Sequence, residues 1–551
     1  MSGSFSRREF LQTSAVLAGA MVLPLPRGPL SLTLRGETLF DGRDDDSPLA
    51  RLKPTELSTK EFTGDMPKRF HDLLWNKAAA LKERGGIPTP SETTEVAIVG
   101  GGISGLLGAY QLRHLKPILL EGNSRFGGNS KGERIGTTDF STGAAYIGPP
   151  EPGGPIEKLL KDLDLFESGR FEDATESPID FKGALKHPFW NGVTDPSRAR
   201  EFTEVAETLA WILKNEYPDI PARPSSNVSR ERLNALDSLS FADWLKAKFP
   251  RLHPHIEEFF EIYCWSSLGG TIHEVSAAQM LYFVCSDVAG TYVLPGGNAA
   301  IARALLEKTR ASIGSDRLRS DSVIIDIKPD DTGVTIAYED AQKNLRSLRA
   351  KICLVTLPKF VVPYVVEGLP QEQISEMKRL RYRAYIVANV ILDQKVASPC
   401  FELFRLQGKP ATVASHAFPD LCFGSWAARD RGSRSVLSLF KTFPFDGARG
   451  QLLSPAAHET FRELTQKELP SLLESLGLNL KNVAGIRLSR FGHALPLAEK
   501  GFIARGAPEL ISKPLGSRVF FANQDNWASP CFESCFASAQ KAAADIAAAL
   551  A

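Results

Sequence analysis

The chain has 551 residues, of which 43% are hydrophobic and 23% are charged, and this is the composition of an ordinary globular protein. Its length allows two or more domains and a large core. Because the formal net charge is only +1, the overall balance gives no electrostatic reason to expect a nucleic acid or an anionic membrane as a partner. Its 7 cysteines are scattered and suggest neither a disulfide framework nor a metal-ligand spacing, so no metal site is predicted.

The N-terminus has the pattern of an export signal. Arg7 and Arg8 precede a modest apolar stretch over residues 15–25, which is typical of bacterial twin-arginine signals. A basic, frayed terminus with a short anchor is the alternative. The pattern predicts a signal over residues 1–26, an interaction with the twin-arginine translocation machinery and a periplasmic location, with membrane anchoring if the signal is retained.

Residues 27–92 are polar and contain prolines, and we interpret them as an N-terminal extension with a helix over 69–84. The next segment, 94–121, has the order strand, tight turn, helix, strand and acidic residue. This is the order that a dinucleotide-binding βαβ unit needs. The alternative is a chance glycine-rich turn in another α/β protein.

Three spaced glycines lie in that turn: Gly100, Gly102 and Gly105. The first permits the sharp turn, the second lets backbone N–H groups approach a diphosphate, and the third lets the helix pack closely on the strand. Ser104 belongs to the same turn, and Glu121 follows at a spacing that suits the hydroxyl groups of a ribose. The segment therefore predicts a dinucleotide site.

The remainder of the chain alternates between helix-rich and strand-rich stretches, which predicts an α/β fold with a discontinuous Rossmann-like domain. The dinucleotide-binding domain is predicted over residues 93–150, 291–358 and 501–551. The substrate-binding domain, helical and then mixed-sheet, is predicted over residues 151–290 and 359–500.

Five segments in chain order resemble the flavin amine oxidase superfamily, which also contains phytoene desaturases and spermidine dehydrogenase-like proteins. The first is the glycine-rich turn, and the resemblance extends over residues 94–549. The others are 125–130, 141–146, 295–297 with the strand 322–324, and 519–525 with the helix 532–549. The resemblance implies bound FAD, and the single dinucleotide fingerprint argues against a second nucleotide cofactor.

In relatives these segments hold successive parts of FAD: the diphosphate, the surroundings of the flavin ring, the adenine, and finally the ribityl chain with the pyrimidine edge of the ring. The resemblance accordingly implies ten cofactor-binding residues beyond Glu121 in this chain. They are Gly127, Gly128, Asn129, Gly143, Ala144, Ala145, Val323, Asn523, Asp525 and Phe532.

Two departures from the family pattern bear on the chemistry. Monoamine oxidases carry an aromatic residue at the start of the last helix, beside the flavin ring, where this chain has Cys531. Phe532 or Trp527 would then have to supply the aromatic side chain beside the ring. Many amine oxidases carry a lysine near the flavin N5, at a position that falls near Val387 here. Oxygen handling by a lysine in that strand is therefore not expected, and the electron acceptor is left open between oxygen and another acceptor.

The resemblance implies an FAD-dependent oxidoreductase that removes a hydride from an amine, with a polyamine as one option. The finer likeness, at 385–390, 490–493 and 522–525, is to spermidine dehydrogenase-like proteins. The alternatives are an FAD-dependent desaturase or dehydrogenase of an apolar substrate, and a flavin-binding protein without turnover. An acidic pocket would favour the amine, and a long apolar tunnel would favour the desaturase.

Three residues are candidates for the substrate side of the site. His493 is the candidate catalytic residue, either orienting the substrate or accepting a proton, with a histidine away from the flavin as the alternative. Trp265 and Trp527 are candidate pocket residues, although a tryptophan in a helical insert is more often part of the core. The insert also contains carboxylates that suit either a pocket rim or a solvated helix face: Glu204, Glu207, Glu257, Glu258 and Glu261.

Overall fold

The computed structural model describes residues 46–173, 178–216, 221–398, 400–408, 417–428 and 434–551. The predicted export signal lies outside these residues and stays a prediction. None of the helices within the described ranges has the length and apolar character needed to span a bilayer.

The described strands are numbered in chain order. They are β1 (Leu49–Leu52), β2 (Thr63–Gly64), β3 (Thr93–Val99), β4 (Ile118–Leu120), β5 (Gly132–Ile135), β6 (Thr138–Ser141), β7 (Arg170–Glu172), β8 (Ile179–Phe181), β9 (Ala184–Lys186), β10 (Thr291–Val293), β11 (Leu318–Arg319), β12 (Val323–Asp330), β13 (Gly333–Glu339), β14 (Leu345–Val355), β15 (Tyr382–Leu392), β16 (Glu402–Leu406), β17 (Asp420–Phe423), β18 (Val436–Phe443), β19 (Val483–Pro496) and β20 (Val519–Phe521).

The described α-helices follow the same convention. They are α1 (Pro67–Trp75), α2 (Lys77–Glu83), α3 (Ile103–Gln111), α4 (Pro155–Asp162), α5 (Ala199–Asn215), α6 (Arg230–Asp237), α7 (Phe241–Lys248), α8 (Pro254–Leu268), α9 (Ala277–Val288), α10 (Asn298–Ile313), α11 (Val362–Val365), α12 (Gln371–Arg379), α13 (Arg449–Leu452), α14 (Ala457–Ser475), α15 (Ala507–Ser512) and α16 (Phe532–Leu550).

A seven-stranded sheet organises the dinucleotide half of the protein. Its order is β11-β4-β3-β14-β13-β12, and β20 pairs with β14. The strands β11, β4, β3, β14 and β20 are parallel neighbours, so their carboxyl ends meet at one edge. β3 forms because its apolar run is mostly β-branched, and residues 96–99 are completely buried. The carboxyl edge of such a sheet is where dinucleotides bind.

Three helices cover one face of this sheet. α3 packs against both α10 and the Ala-rich α16, and the three helices bury their apolar faces in one core with Val96, Ile98 and Leu354 of the sheet. Since alanine has the highest helix propensity and a small side chain, α16 forms readily and approaches α3 closely. The last helix of the chain thereby holds the first βα turn in place.

An eight-stranded sheet organises the other half. Its order is β2-β19-β15-β18-β17-β16-β8-β9, and its central strand β15 is buried along its whole length. The helices α5 to α9 supply a large apolar cluster beside it, which includes Phe404 of β16. This mixed-sheet and helical half, beside the parallel sheet, confirms the α/β fold class predicted from the sequence.

The extension predicted over residues 27–92 is more integrated than its polar composition indicates. β1 pairs in parallel with β5, and β2 pairs in parallel with β19, so its described part joins two sheets. Arg69 of α1 also donates to Glu339 of β13 at 2.9 Å. The single helix predicted over 69–84 is two helices, α1 and α2, interrupted at Asn76.

Candidate functional site

The first glycine-rich turn is built from close backbone contacts. Gly100 has a φ of +101°, and a Cβ on Gly105 would lie only 1.8 Å from the Gly100 carbonyl oxygen. A Cβ on Gly100 would lie 2.6 Å from Oγ1 of Thr356, which donates to the carbonyls of Val99 and Gly100 at 2.9 Å. The turn therefore admits no side chain at these two positions, and α3 begins directly after it.

A second glycine pair closes against the first turn. Gly127 and Gly128 have φ values of +110° and +57°. The Gly127 N–H donates to the Gly101 carbonyl at 2.8 Å, and a Cβ on Gly128 would lie 3.0 Å from the Cα of Gly102. The two predicted glycine segments thus form one backbone-lined cradle.

Glu121 lies at the end of β4 and is nearly buried. One carboxylate oxygen accepts the Gly101 N–H at 2.6 Å, and the other accepts the Asn123 N–H at 2.8 Å and its amide nitrogen at 2.7 Å. Since a carboxylate has about four lone-pair positions, it retains acceptor capacity for ribose hydroxyls. This geometry suits the predicted role of Glu121.

FAD fits this cradle because Gly100, Gly102, Gly105, Gly127 and Gly128 leave the backbone bare around the N-terminus of α3, where N–H groups can bind a diphosphate. Ser104, in the first turn of α3, is buried, and its hydroxyl acts on the Cys535 thiol and lowers the pKa of that thiol, against the larger effect of burial.

The segment 141–146 lies across the end of the cradle. A Cβ on Gly143 would lie 2.2 Å from the Asn129 carbonyl oxygen, which accepts the Ala144 N–H at 2.9 Å. Ala145 lies against Gly297, at the start of α10, so closely that a Cβ there would approach it to 3.0 Å. The structure therefore brings together the second, third and fourth of the resembling segments.

Hydrogen bonds tie this segment to the eight-stranded sheet. Asn389 of β15 is completely buried, and its amide donates to the Ser141 carbonyl at 3.0 Å. Its amide oxygen accepts the Ser438 hydroxyl of β18 at 2.6 Å. The face of the sheet that carries Asn389 thus looks onto the segment expected beside the flavin ring.

The remaining predicted cofactor residues lie at the same sheet edge. Val323 is completely buried at the start of β12. Phe532 begins α16 and stacks on Phe536 with ring centroids 6.1 Å apart, and Cys531 caps the helix. Asn129 and Gln524 both donate to the Ala494 carbonyl at 3.2 Å, which links the second segment to the closing turn.

The closing turn contacts two residues that the sequence analysis did not single out, Tyr382 and Lys359. Asp525 accepts the hydroxyl of Tyr382 at 2.5 Å and the backbone N–H of Lys359 at 2.8 Å, and burial raises the pKa of the Asp525 carboxyl. The Lys359 ammonium donates to the amide oxygen of Asn523 at 3.2 Å. Asp525 therefore faces β15 and the end of β14, and its role toward FAD stays a prediction.

His493 lies on β19 next to this group. Its ring stacks on Phe360 at a centroid distance of 3.9 Å and lies 5.8 Å from the ring of Tyr382. Burial, with a smaller effect of Arg449, lowers the pKa of His493 to about 3. The imidazole is neutral at physiological pH and is a weak base, so an orienting role is favoured over proton acceptance.

A partly buried acidic cluster lies on the Asn389 face of the eight-stranded sheet. Glu402 of β16 pairs with Cys422 of β17, and Asp420 lies two residues before Cys422 on the same face. One ligand atom from each of these three residues lies within 4.8 Å of the others. Asp420 accepts the hydroxyl of Ser266, and it shares a hydrogen bond with the Glu402 carboxyl.

Two further carboxyls join this cluster from other elements. Asp287 of α9 accepts the hydroxyl of Tyr263, and Glu172 of β7 accepts the Phe401 N–H. Neither pairs with a described lysine or arginine within ion-pair distance. Burial is the main cause that raises the pKa of Asp287 to about 7, with smaller contributions from Glu533 and Glu172.

Burial also raises the pKa values of Glu402 and Asp420. Burial first, and then repulsion from Asp420 and the other carboxyls, raises the pKa of Glu402 well above its usual value. Burial raises the pKa of Asp420 to about 7, against a lowering effect of the Ser266 hydroxyl. Arg170 also acts on Glu172 and lowers its pKa, against the larger effect of burial. Several acids that face one another, with no described lysine or arginine in ion-pair contact, are typical of a site that receives a cation.

Aromatic side chains surround the carboxyls. Tyr146 is the last residue of the segment expected beside the flavin ring, and its ring contacts Phe401 edge-on at 5.7 Å. Burial, followed by Asp287, Glu402 and Asp420, raises the pKa of Tyr146, which places its hydroxyl in their field. The Tyr385 hydroxyl lies 2.7 Å from the Ser266 hydroxyl. The acidic cluster therefore adjoins the expected position of the flavin.

The same three side chains, two carboxyls and a thiol, have the donor set of a metal site. Burial raises the pKa of the Cys422 thiol well above its usual value, and Glu402 and Asp420 add to this effect. Because the thiolate is the form that binds metals, the thiol is the least suited of the three donors.

The candidate pocket residues have other surroundings. Trp265 is buried on α8 and donates to Glu261 at 3.1 Å, and Trp527 is half-buried with its carbonyl accepting from Gln279 at 2.8 Å. Of the carboxylates in the insert, Glu204 is exposed, and Glu258 accepts two backbone N–H groups of residues 407–408. The acidic cluster is thus formed by other carboxyls than these five.

We expect Gly105→Ala to prevent FAD binding, because its Cβ would meet the Gly100 carbonyl 1.8 Å away. The matched control is Gly108→Ala on the same helix, where the Cβ would meet only the side-chain end of Leu354. Flavin absorbance per purified chain measures the result. Full flavin content in Gly105→Ala would contradict this account of the turn.

Comparisons with known proteins agree with this geometry. Cyclohexylamine oxidase from Brevibacterium oxydans IH-35A superposes with a TM-score of 0.62 at 20% identity, over 83% of this chain and 99% of that chain. Putrescine oxidase bound to putrescine superposes with a TM-score of 0.60 at 17% identity, over 83% and 99% of the two chains. These likenesses show the fold.

The oxidoreductase PigB of Serratia sp. (strain ATCC 39006) is 23% identical over 516 residues, which are 80% of this chain and 74% of that protein. The model of the flavin containing amine oxidoreductases matches residues 103–547. The matched range begins in the glycine-rich turn and ends in α16, and so includes both halves of the site. This chain belongs to the flavin containing amine oxidoreductase family and is an FAD-dependent, amine oxidase-like enzyme.

Proposed function

We propose that this enzyme oxidises a C–N bond of an amine that carries a second cationic centre, as diamines and polyamines do. The observation that carries the proposal is the partly buried acidic cluster of Glu172, Asp287, Glu402 and Asp420 beside Tyr146. A monoamine offers one cation, and that nitrogen must lose its proton before oxidation. A distant second ammonium can stay charged and occupy the cluster.

Charge balance supports this choice. Burial raises the pKa of Glu402 and of Asp420, and no described lysine or arginine lies in ion-pair contact with either carboxyl. A bound ammonium would favour their ionised forms, and the protons would leave as the substrate enters. An apolar substrate would leave the same carboxyls buried beside hydrocarbon, so the cluster disfavours the desaturase alternative.

The chain's own residues supply position and charge. When bound, FAD supplies the acceptor for the hydride that leaves the carbon next to the amine nitrogen. Tyr385 and Ser266 form a hydroxyl pair that can hold the substrate, and Ser266 also holds Asp420 in place. His493 is neutral and suits orientation by hydrogen bonding. The likeness to spermidine dehydrogenase-like proteins supports the same substrate class.

The acceptor is part of the proposal. Val387 is buried on the face of β15 that also carries Asn389, so no lysine projects from that position. This supports an acceptor other than oxygen, such as a quinone.

Anaerobic mixing of the purified yellow enzyme with amines tests the proposed function. We expect putrescine or spermidine to bleach the flavin absorbance faster than butylamine at equal concentration, because only the former fill the acidic cluster. Reoxidation by oxygen and by a quinone then compares the acceptors. Equal bleaching by butylamine and putrescine would reject the second cationic centre, and no bleaching by any amine would reject amine oxidation.

The pH dependence provides a second test. Because burial raises the pKa of Asp287 and Asp420 to about 7, more of each carboxyl is ionised above that pH, and the diamine binds better there. We expect KM for a diamine to fall about three- to tenfold from pH 6 to pH 8. Asp420→Asn should raise KM and flatten this profile.

The matched control is Glu261→Gln, because burial raises the pKa of Glu261 to about 7 as well, but its carboxyl accepts from Trp265 and Ile272 instead. This variant should keep the wild-type profile. A flat wild-type profile, or an unchanged profile in Asp420→Asn, would contradict the proposed role of the cluster.

We also propose that the protein is exported by the twin-arginine pathway, which Arg7 and Arg8 support. Conversion of both residues to lysine should move the protein from the periplasmic to the cytoplasmic fraction of a bacterial host. Arg27→Lys, beyond the predicted signal, is the control. Unchanged fractionation of the double variant would refute this route.

A further inference from the structure

The helix α1 lies beside Glu121, although it precedes the matched family range 103–547. Arg69 of α1 donates to the Asp321 carbonyl at 3.2 Å, in the loop between β11 and β12. In the same loop the Ser322 N–H donates to the Glu121 carbonyl at 2.7 Å. The helix is therefore fixed to the two loops that meet at Glu121, one after β4 and one after β11.

Phe70, the next residue of α1, rests on the main chain of Gly122. A Cβ on Gly122 would lie 2.6 Å from Cε1 of the Phe70 ring and 3.7 Å from the Cα of Val323, so the ring lies where the two loops meet. Phe70 is only half-buried and belongs to none of the apolar clusters that the described residues form, whereas Leu74 of the same helix packs against a large one. An aromatic ring outside the core clusters is available to a ligand at this position.

The position of Glu121 indicates where the adenosine end of FAD would lie. In a dinucleotide-binding βαβ unit the acidic residue at this spacing binds the hydroxyl groups of the ribose. Because the adenine is joined directly to that ribose, it has to lie close to the loops that meet at Glu121. Aromatic side chains bind bases by stacking on their faces, and Phe70 offers such a face there.

The segment that leads into α1 is held on the eight-stranded sheet. The Asp65 N–H donates to the Arg490 carbonyl at 2.9 Å, and the Asp65 carboxyl accepts the Gly492 N–H at 2.8 Å. His71 of α1 also acts electrostatically on His493, the candidate catalytic residue. The helix is thus attached to both sheets, and contacts on its two sides hold the Phe70 ring in place.

We propose that α1 closes the adenosine end of the FAD site and that the Phe70 ring packs against the adenine base. The N-terminal extension is then part of the cofactor site, although the sequence predicted cofactor contacts only from Gly100 onward. This assignment rests on FAD binding and is independent of which amine the enzyme oxidises.

Replacement of Phe70 in the full chain tests the assignment. We expect Phe70→Ala to raise the dissociation constant of FAD about 5- to 100-fold, the range for loss of one base stack, as measured by recovery of flavin fluorescence on dilution of the holoenzyme. Phe70→Leu keeps an apolar side chain on Gly122 but has no aromatic face, so it should weaken FAD binding in the same direction. Phe70→Tyr keeps the face and should bind FAD as the wild type does.

The matched control is Trp75→Ala on the same helix. Trp75 is 73% exposed and stacks on His71 with ring centroids 4.3 Å apart, away from Gly122. Its loss removes an aromatic ring from α1 as well, and the FAD affinity of this variant should equal that of the wild type.

A truncated cofactor separates a contact with adenine from a general loosening of α1. Riboflavin 5′-diphosphate keeps the flavin and both phosphates but lacks the adenosine, and it is titrated into the full chain after removal of FAD. Its dissociation constant in Phe70→Ala should equal that in the wild type, because the lost contact belongs to the adenine. Equal weakening of both flavins, or wild-type FAD affinity in Phe70→Ala and Phe70→Leu, would show that the assignment is wrong.

Discussion

The site depends on glycines that let two segments of main chain approach each other closely. Gly105 packs on the Gly100 carbonyl, and Gly128 packs on Gly102, at distances that leave no room for a Cβ. Because these contacts fix the turn, α3 begins where its N–H groups can face a diphosphate. Thr356 then fastens the turn to β14, and β14 carries the connection to the closing turn.

Negative charge beside the expected flavin position is the second constraint on the site. The acidic cluster lies against the segment expected beside the flavin ring. Carboxyls that face one another are costly in the protein alone and become favourable once a cation is bound.

The spacing of residues within one short segment was enough to predict the cofactor cradle and the fold class. Gly100, Gly102, Gly105 and Glu121 lie within one βαβ unit, so their spacing predicted the cradle and the fold class. The acidic cluster could not be predicted from the sequence, because Glu172, Asp287 and Asp420 are far apart along the chain and come together only in the folded structure. The sequence analysis offered other carboxylates of the helical insert as a pocket rim. Of these, Glu204 is exposed and Glu258 accepts backbone N–H groups.

The placement of β20 has a consequence for biosynthesis. β20 pairs with Cys353–Val355, although more than 160 residues separate these strands in the chain. The ribosome therefore releases β20 only after β15 to β19 of the eight-stranded sheet have been synthesised. A nascent chain that ends between β14 and β20 holds the cradle without its closing strand, so the strands of the substrate-side sheet are made before the cradle can be completed.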